Sequence, residues 1–345
     1  MLRKLLGLMA LVVAGLLATG AWVSSAVSQP GSHLEPIRID VRKGETVRAV
    51  LADLERAGAI DNARVVEWWA RTLGDTPRVR AGRYEIPPRA SAKDILWQLD
   101  EGRVLLESLT VVEGTRYADF RRALATHEGV KQTLSGLSDD ELMARLGIPG
   151  RHPEGQFFPD TYRFAWGTSD FEILKLAHGR LRDRLETVWA ERAQNLPLAN
   201  LEEALILASI VEKESALAAE RPRVAGVFVQ RLRKGMRLQS DPTVIYGLGD
   251  RYDGDIRSRD LRTDTPYNTY TRKGLPPTPI ALPGDEALRA VANPLETGEL
   301  FFVATGLPDG SHTFSRTYEE HRKAVRAMLD RQRAARSPER SSPAS

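Results

Sequence analysis

The 345 residues carry a formal net charge of only +3, so bulk electrostatics give no reason to expect nucleic acid as a partner. No cysteine is present, which excludes disulfides, thiolate metal sites and a cysteine nucleophile. The length allows an anchor plus two domains, and 42% hydrophobic with 28% charged residues is an ordinary globular composition.

Arg3 and Lys4 precede Leu5–Val23, an uncharged run that just reaches the roughly 20 apolar residues needed to span a bilayer. The next basic residue is Arg38, so the charge asymmetry places the N-terminus in the cytoplasm and exports the rest. Small residues at Ser24–Ser28 would also suit signal-peptide cleavage. The apolar run is longer than a usual signal core, and a retained anchor is the expectation. Ser24–Pro36 reads as a polar stretch containing Pro and Gly. Residues 1–28 are therefore assigned to a cytoplasmic tip and transmembrane anchor, and 29–36 to a linker.

Residues 37–105 form a compact α+β module by pattern. Ile37–Arg42 alternates as a strand, Thr46–Ala57 and Ala63–Leu73 have helical spacing, and Ala81–Ile86 returns as a strand. Ser91–Asp100 is an amphipathic helix with Ser91 as its cap. A larger α+β body is expected over 106–333. It opens with a strand at Leu109–Val112, and helices follow from Tyr117, at Asp139–Leu146, Asp170–Ala193, Leu201–Glu220 and Val224–Lys234. Pro153–Tyr162 reads as an aromatic loop, and Gly235–Gly284 as a long loop-rich stretch. Leu300–Ala304 and His312–Phe314 read as a hairpin, and a last helix runs from Tyr318 to about Arg333. Residues 334–345, rich in Ser, Pro and Arg, are expected to be disordered.

Glu214 stands out. At about 100° per residue, Leu207, Ile210, Val211, Leu217 and Ala218 share one face of the Leu201–Glu220 helix, and Glu214 falls in its middle. A carboxylate on a buried face must be paired, hydrogen-bonded or protonated. A raised pKa would make it a proton donor near neutral pH. The plain alternative is a structural ion pair with Arg221, Arg223, Arg231 or Arg233. Glu212 lies about 200° away around the helix and Glu203 about three turns earlier. Neither supplies the second carboxylate that glycosidases keep about 5–10 Å from the first. Asp241 or Asp264 remains open for that part.

The 235–284 stretch gathers Gln239, Ser240, Asp241, Thr243, Tyr246, Tyr267, Asn268 and Thr269. Amides, hydroxyls and tyrosines suit a sugar, whose hydroxyls need partners and whose ring faces stack. The same residues also build ordinary turns. The six histidines lack metal spacing, and no GxSxG, P-loop or dinucleotide fingerprint occurs. The basic run Arg231–Arg237 reads as a solvated helix end capped by Gly235.

At Ala208–Ser215 (ASIVEKES), and on through RLQSDPTVIYGLG, PYNTY and GLPPTPI, the sequence resembles the endolytic murein transglycosylase (YceG-like) family. VEG at Val112–Gly114, FFPDTY at Phe157–Tyr162 and the late HTFS segment extend the resemblance over nearly the whole chain. It implies a LysM-like module at 37–105 and a catalytic domain at 106–333, on a single-pass inner-membrane protein facing the periplasm. The implied reaction is lytic cleavage of the β-1,4 MurNAc–GlcNAc bond within nascent glycan strands, leaving 1,6-anhydro ends. By this resemblance Glu214 is the catalytic residue, acting as acid and then base, and no metal or cofactor is implied. The other eight residues named above are expected as substrate contacts. Glycan strands, the membrane and possible cell-wall synthesis proteins are the expected partners. The alternatives are a glycan-binding scaffold and a two-carboxylate muramidase.

Overall fold

The computed structural model describes residues 2–42, 44–72 and 77–336. In chain order these contain α1 (Leu2–Ser28), β1 (Ile37–Val41), α2 (Val47–Arg56), α3 (Ala63–Thr72), β2 (Gly82–Ile86), α4 (Ala92–Glu101) and β3 (Leu106–Thr110). Then follow α5 (Tyr117–Thr126), β4 (Val130–Lys131), α6 (Asp139–Arg145), β5 (Thr161–Ala165), β6 (Thr168–Ser169), α7 (Asp170–Ala190), α8 (Leu201–Glu214) and α9 (Arg221–Arg233). The chain ends with α10 (Asp241–Leu248), α11 (Ser258–Arg262), α12 (Asp285–Ala292), β7 (Phe301–Ala304), β8 (His312–Ser315) and α13 (Tyr318–Arg336). The chain is thus mixed α+β with one long apolar helix at its start. It divides into two compact units.

The first unit takes in residues 1–108 together with 128–131 and 163–169. β1 and β2 pair antiparallel, with Ile39 opposite Tyr84 and Ile37 opposite Ile86. Period-two alternation sends Ile39, Val41, Tyr84 and Ile86 into the core. On the outer face it leaves the ion pairs Arg38–Glu85 (2.9 Å) and Arg83–Asp40 (2.6 Å). α4 starts with a Ser91/Asp94 capping box and stops at Gly102, whose φ of 67° suits a residue without Cβ. Leu73, the expected last residue of α3, lies outside the described residues.

The N-terminal helix extends beyond the apolar run that closes at Val23. It continues to Ser28, and its last turns belong to this unit: Val23 and Val27 are buried in the same core as Leu54, Tyr84 and Leu99. The Trp69 indole N–H donates to Ser24 Oγ at 3.2 Å. Residues 29–36 are not a free linker either, because Gly31 N–H donates to the Arg89 carbonyl and Arg89 N–H to that of His33. The polar composition of 24–36 hid these contacts, which are made by Ser24, by Val27 and by backbone groups.

The second unit is built around α8, which is buried continuously from Ala204 to Glu212. A helix apolar on all sides must be surrounded, and here α7, α9 and α12 pack against it or each other. β7 and β8 form the expected hairpin, with Phe302 opposite Phe314. Three differences from the sequence reading matter. α8 stops at Glu214 and not at Glu220. The 235–284 stretch contains α10 and α11. The final helix runs to Arg336, three residues further than expected; 337–345 lie outside the described residues.

Candidate active site

α8 ends where Ser215 turns to an extended conformation (φ −129°, ψ 121°). The Ser215 hydroxyl bonds with both the N–H and the carbonyl of Leu217, and the Arg221 Nε donates to the Ser215 carbonyl at 3.3 Å. Serine competes in this way for backbone groups that a helix would otherwise use. Leu217 and Ala218 therefore do not continue the face predicted for Glu214. Glu214 instead occupies the last helical position, where unsatisfied carbonyls disfavour a negative charge.

The two neighbouring acids separate cleanly. Glu212 is buried, accepts from Arg221 Nη2 at 2.7 Å and from Gly284 N at 2.9 Å, and is the structural ion pair of this helix. Arg221 also reaches Glu113 at 3.4 Å. Lys213 turns away and donates to the Gly114 carbonyl at 3.2 Å. Glu214 is half-buried, and among the described residues it has no cation within ion-pair distance. Desolvation pushes its pKa up to about 7, opposed by the Ser240 hydroxyl, reinforced by the negative charge of Asp241 and moderated by Arg231. Ser240 Oγ is itself buried with no fully formed hydrogen bond, so the Glu214 carboxyl is the group it is left to serve.

α10 brings these groups up. Pro242 sits in the first turn, where a missing N–H costs nothing, and Ser240 is the cap residue. The sequence reading missed this helix because Pro, Thr, a Gly and β-branched residues lower its propensity, while tertiary packing overrides it. Gln239, just before it, is exposed with φ of 54°. A left-handed non-glycine residue beside a candidate site is a known place for stored strain.

The eight residues expected at the substrate divide. Thr243, Asn268 and Thr269 are buried and bonded inside the protein. The Asn268 amide donates to the carbonyls of Asp260, Leu261 and Thr263. Thr243 Oγ1 bonds with the Ser240 carbonyl at 2.7 Å and with Thr269 Oγ1 at 2.9 Å, and Thr269 Oγ1 accepts from Ser240 N at 3.0 Å. Thr243 and Thr269 hold Ser240 in place and Asn268 holds the 260–263 segment, as turn-building residues would. Gln239 and Asp241 are exposed, with Tyr270 donating to Asp241 at 2.6 Å. Tyr246 and Tyr267 are half-buried, edge to face at 4.8 Å, with the Arg116 guanidinium 5.2 Å from the Tyr246 ring.

Asp264 has no acid role in this arrangement. It is exposed and bonded by Arg272 and Thr271, which hold its pKa down at about 2. A crevice of about 280 Å³ lies between residues 266 and 277, and Glu214 is not among the residues that line it. No group of three or more metal-ligating side chains occurs among the described residues.

Two residues were missed. Glu154, in the aromatic loop, is buried and accepts from Tyr117 N at 2.9 Å, with Tyr246 and Arg116 beside it. Burial, opposed mainly by the Tyr117 N–H, raises its pKa to about 7. A carboxylate between Pro153 and Gly155 in a stretch of aromatics was the available signal. Arg231 is buried, whereas the sequence reading made it part of a solvated helix end. Val224, Phe228 and Arg231 lie on one helical face, which would have given it away.

The arrangement is that of a half-buried carboxyl at one helix end, with a serine hydroxyl and an aspartate beside it. The YceG-like family model matches residues 39–327, and the chain belongs to that family. It is 30% identical over 306 residues to the endolytic murein transglycosylase of Bacillus subtilis strain 168, covering 84% of this chain and 83% of that protein. The enzyme of the same name from Streptococcus pneumoniae serotype 2 is 25% identical over 322 residues, and the match spans 58% of its length. The crystal structure of a YceG-like protein from Listeria monocytogenes shares the fold, with a TM-score of 0.52 and 30% identity over 84% of this chain and 99% of that one.

Proposed function

We propose that this protein is a membrane-anchored endolytic peptidoglycan lytic transglycosylase with Glu214 as its catalytic acid and base. The observation that carries the reading is the Glu214 carboxyl itself. It is half-buried, poised near neutral pH and, among the described residues, without a cation at ion-pair distance, while its neighbour Glu212 takes the Arg221 guanidinium.

In this reading protonated Glu214 gives its proton to the glycosidic oxygen as the C1–O4 bond of the muramyl residue breaks. The resulting carboxylate then takes the proton of the muramyl 6-hydroxyl as that oxygen bonds to C1. Glu214 is returned protonated and the product ends in a 1,6-anhydro ring. No water enters, so a single carboxyl suffices, and intramolecular attack gains from proximity. Tyr246 and Tyr267 form an aromatic wall suited to a sugar face, and Gln239 and Asp241 are the exposed polar candidates for its hydroxyls.

One observation favours a second reading. Asp241 is close enough to raise the pKa of Glu214, so a two-carboxylate muramidase with Asp241 as base is the rival. Mass spectrometry of fragments from purified glycan strands decides. Anhydro ends support the lytic reaction, and reducing ends heavier by one water support hydrolysis. Glycan binding without cleavage would point to a scaffold.

The expected location is the inner membrane, with both units in the periplasm. Burial of Val23 and Val27 in the first unit's core supports a retained helix, since cleavage within Ser24–Ser28 would remove one or both from it. The first unit is read as LysM-like.

A further inference from the structure

Four arginines follow Glu214 closely in the chain, and three have carboxylate partners: Arg221 has Glu212, Arg223 has Glu299 and Arg233 has Glu296. Arg231 has none within ion-pair distance among the described residues. It is 6% exposed, and its guanidinium is held by backbone carbonyls. Nε donates to Leu300 at 2.7 Å, and Nη1 donates to Leu238 at 2.6 Å and Arg237 at 3.4 Å. The Phe301 ring lies 5.4 Å from it. Neutral carbonyls satisfy the N–H groups without cancelling the charge, and burying an uncompensated charge is costly. A buried, unpaired cation whose Nε and Nη1 meet neutral carbonyls calls for a charge that appears only part of the time.

We propose that Arg231 is a positioning residue for Glu214, fixing the Arg237–Ser240 segment that presents the Ser240 hydroxyl and supplying the counter-charge for the carboxylate left when Glu214 gives up its proton. This rests on the reading of Glu214 as the acid. Two of the three carbonyls that Arg231 grips lie two and three residues before Ser240, whose N–H and carbonyl are then tied to Thr269 and Thr243.

The charged and titratable groups that face Glu214 are Asp241 of α10, Tyr270 of the following loop and Arg231 of α9, with the Ser240 hydroxyl beside them. Within α8, Glu212 and Lys213 are engaged elsewhere. Arg231 is faced in turn by Tyr270, Glu214 and His321. Among the described residues Arg231 is thus the cation that acts on Glu214, and it opposes both desolvation and Asp241. It keeps the carboxylate accessible as a base without forming the close pair that would abolish the acid.

The test compares Arg231→Gln and Arg231→Lys with the wild type, using the full chain in detergent and release of anhydro-ended fragments from pH 5 to 9. Glutamine keeps donors for the carbonyls but removes the charge. The descending alkaline limb, where Glu214 ionises, should move up by about half to one pH unit, with kcat reduced on the order of 10-fold. Lysine keeps the charge but not the fork, so the limb should stay in place while kcat falls. A limb unmoved in Arg231→Gln, or moved upward in Arg231→Lys, overturns the proposal. If Arg231→Gln fails to fold, the Lys variant alone still decides by the same criterion. Full activity of Glu214→Gln in the same assay would instead sink the underlying reading of Glu214, whatever the Arg231 variants do.

Discussion

Glu212 and Glu214 stand two residues apart at the end of one helix and meet opposite surroundings. Glu212 is clasped by Arg221 at 2.7 Å and by the Gly284 N–H at 2.9 Å, while Glu214 meets a serine hydroxyl and another carboxylate. Both are raised by burial, but only Glu212 is compensated by a direct ion pair. That difference separates a carboxylate holding the fold from one free to exchange a proton.

Replacing Glu214 with Gln should lower the release of anhydro-ended fragments by at least about 100-fold, the usual worth of a general acid. Wild-type activity should fall as pH rises through about 7, because the acid form is lost there. Fragment release measured from pH 5 to 9 checks both, and an activity still rising above pH 8 would contradict the assignment.

Arg221→Met should strand Glu212 in the core and destabilise the protein by about 3–5 kcal/mol, the cost of breaking a buried pair from one side. Changing both residues together, as Arg221→Met with Glu212→Gln, should cost clearly less than the sum of the single changes. Chemical denaturation of the four proteins in a double-mutant cycle measures this coupling.

Glu154 gives a pH-dependent stability. Its folded pKa of about 7 lies above the ordinary 4.5, so the folded state holds its proton more tightly than the unfolded state. Stability therefore falls as pH rises from about 4.5 to 7 and levels off above, by on the order of 3 kcal/mol for this group. Glu154→Gln cannot ionise and should lack this contribution. Its stability relative to wild type should rise between pH 5 and pH 8 in urea unfolding, whatever its value at pH 5. Glu214 contributes to both proteins and cancels in the difference.

Gly226 in α9 packs against backbone: an added Cβ would sit 2.1 Å from the Leu295 carbonyl oxygen. Gly226→Ala should cost about 1–3 kcal/mol through forced displacement, although alanine is the better helix former. Thermal unfolding should show the loss. Equal or greater stability would mean that the 295 segment yields easily.

The sequence alone determined what depends on local pattern and composition. The apolar run, the β1–β2 and β7–β8 strands, the capped α4 and the apolar run of α8 that ends at Glu214 follow from period, propensity and capping. The order of neighbouring chemistry was also visible, with ASIVEKES followed by the SDPT and YNTY segments.

Tertiary structure decided the rest. Only packing shows that α8 breaks at Ser215, because the Arg221 that draws on the Ser215 carbonyl is placed by a different helix. Only packing turns Asn268, Thr243 and Thr269 inward, since their partners are backbone carbonyls and hydroxyls whose positions no local pattern encodes. Burial of Arg231 and Glu154 is likewise set by segments distant in the chain. A helical or strand period reports which residues share a face, but the charge state of a carboxyl depends on which groups the fold brings within a few ångströms of it.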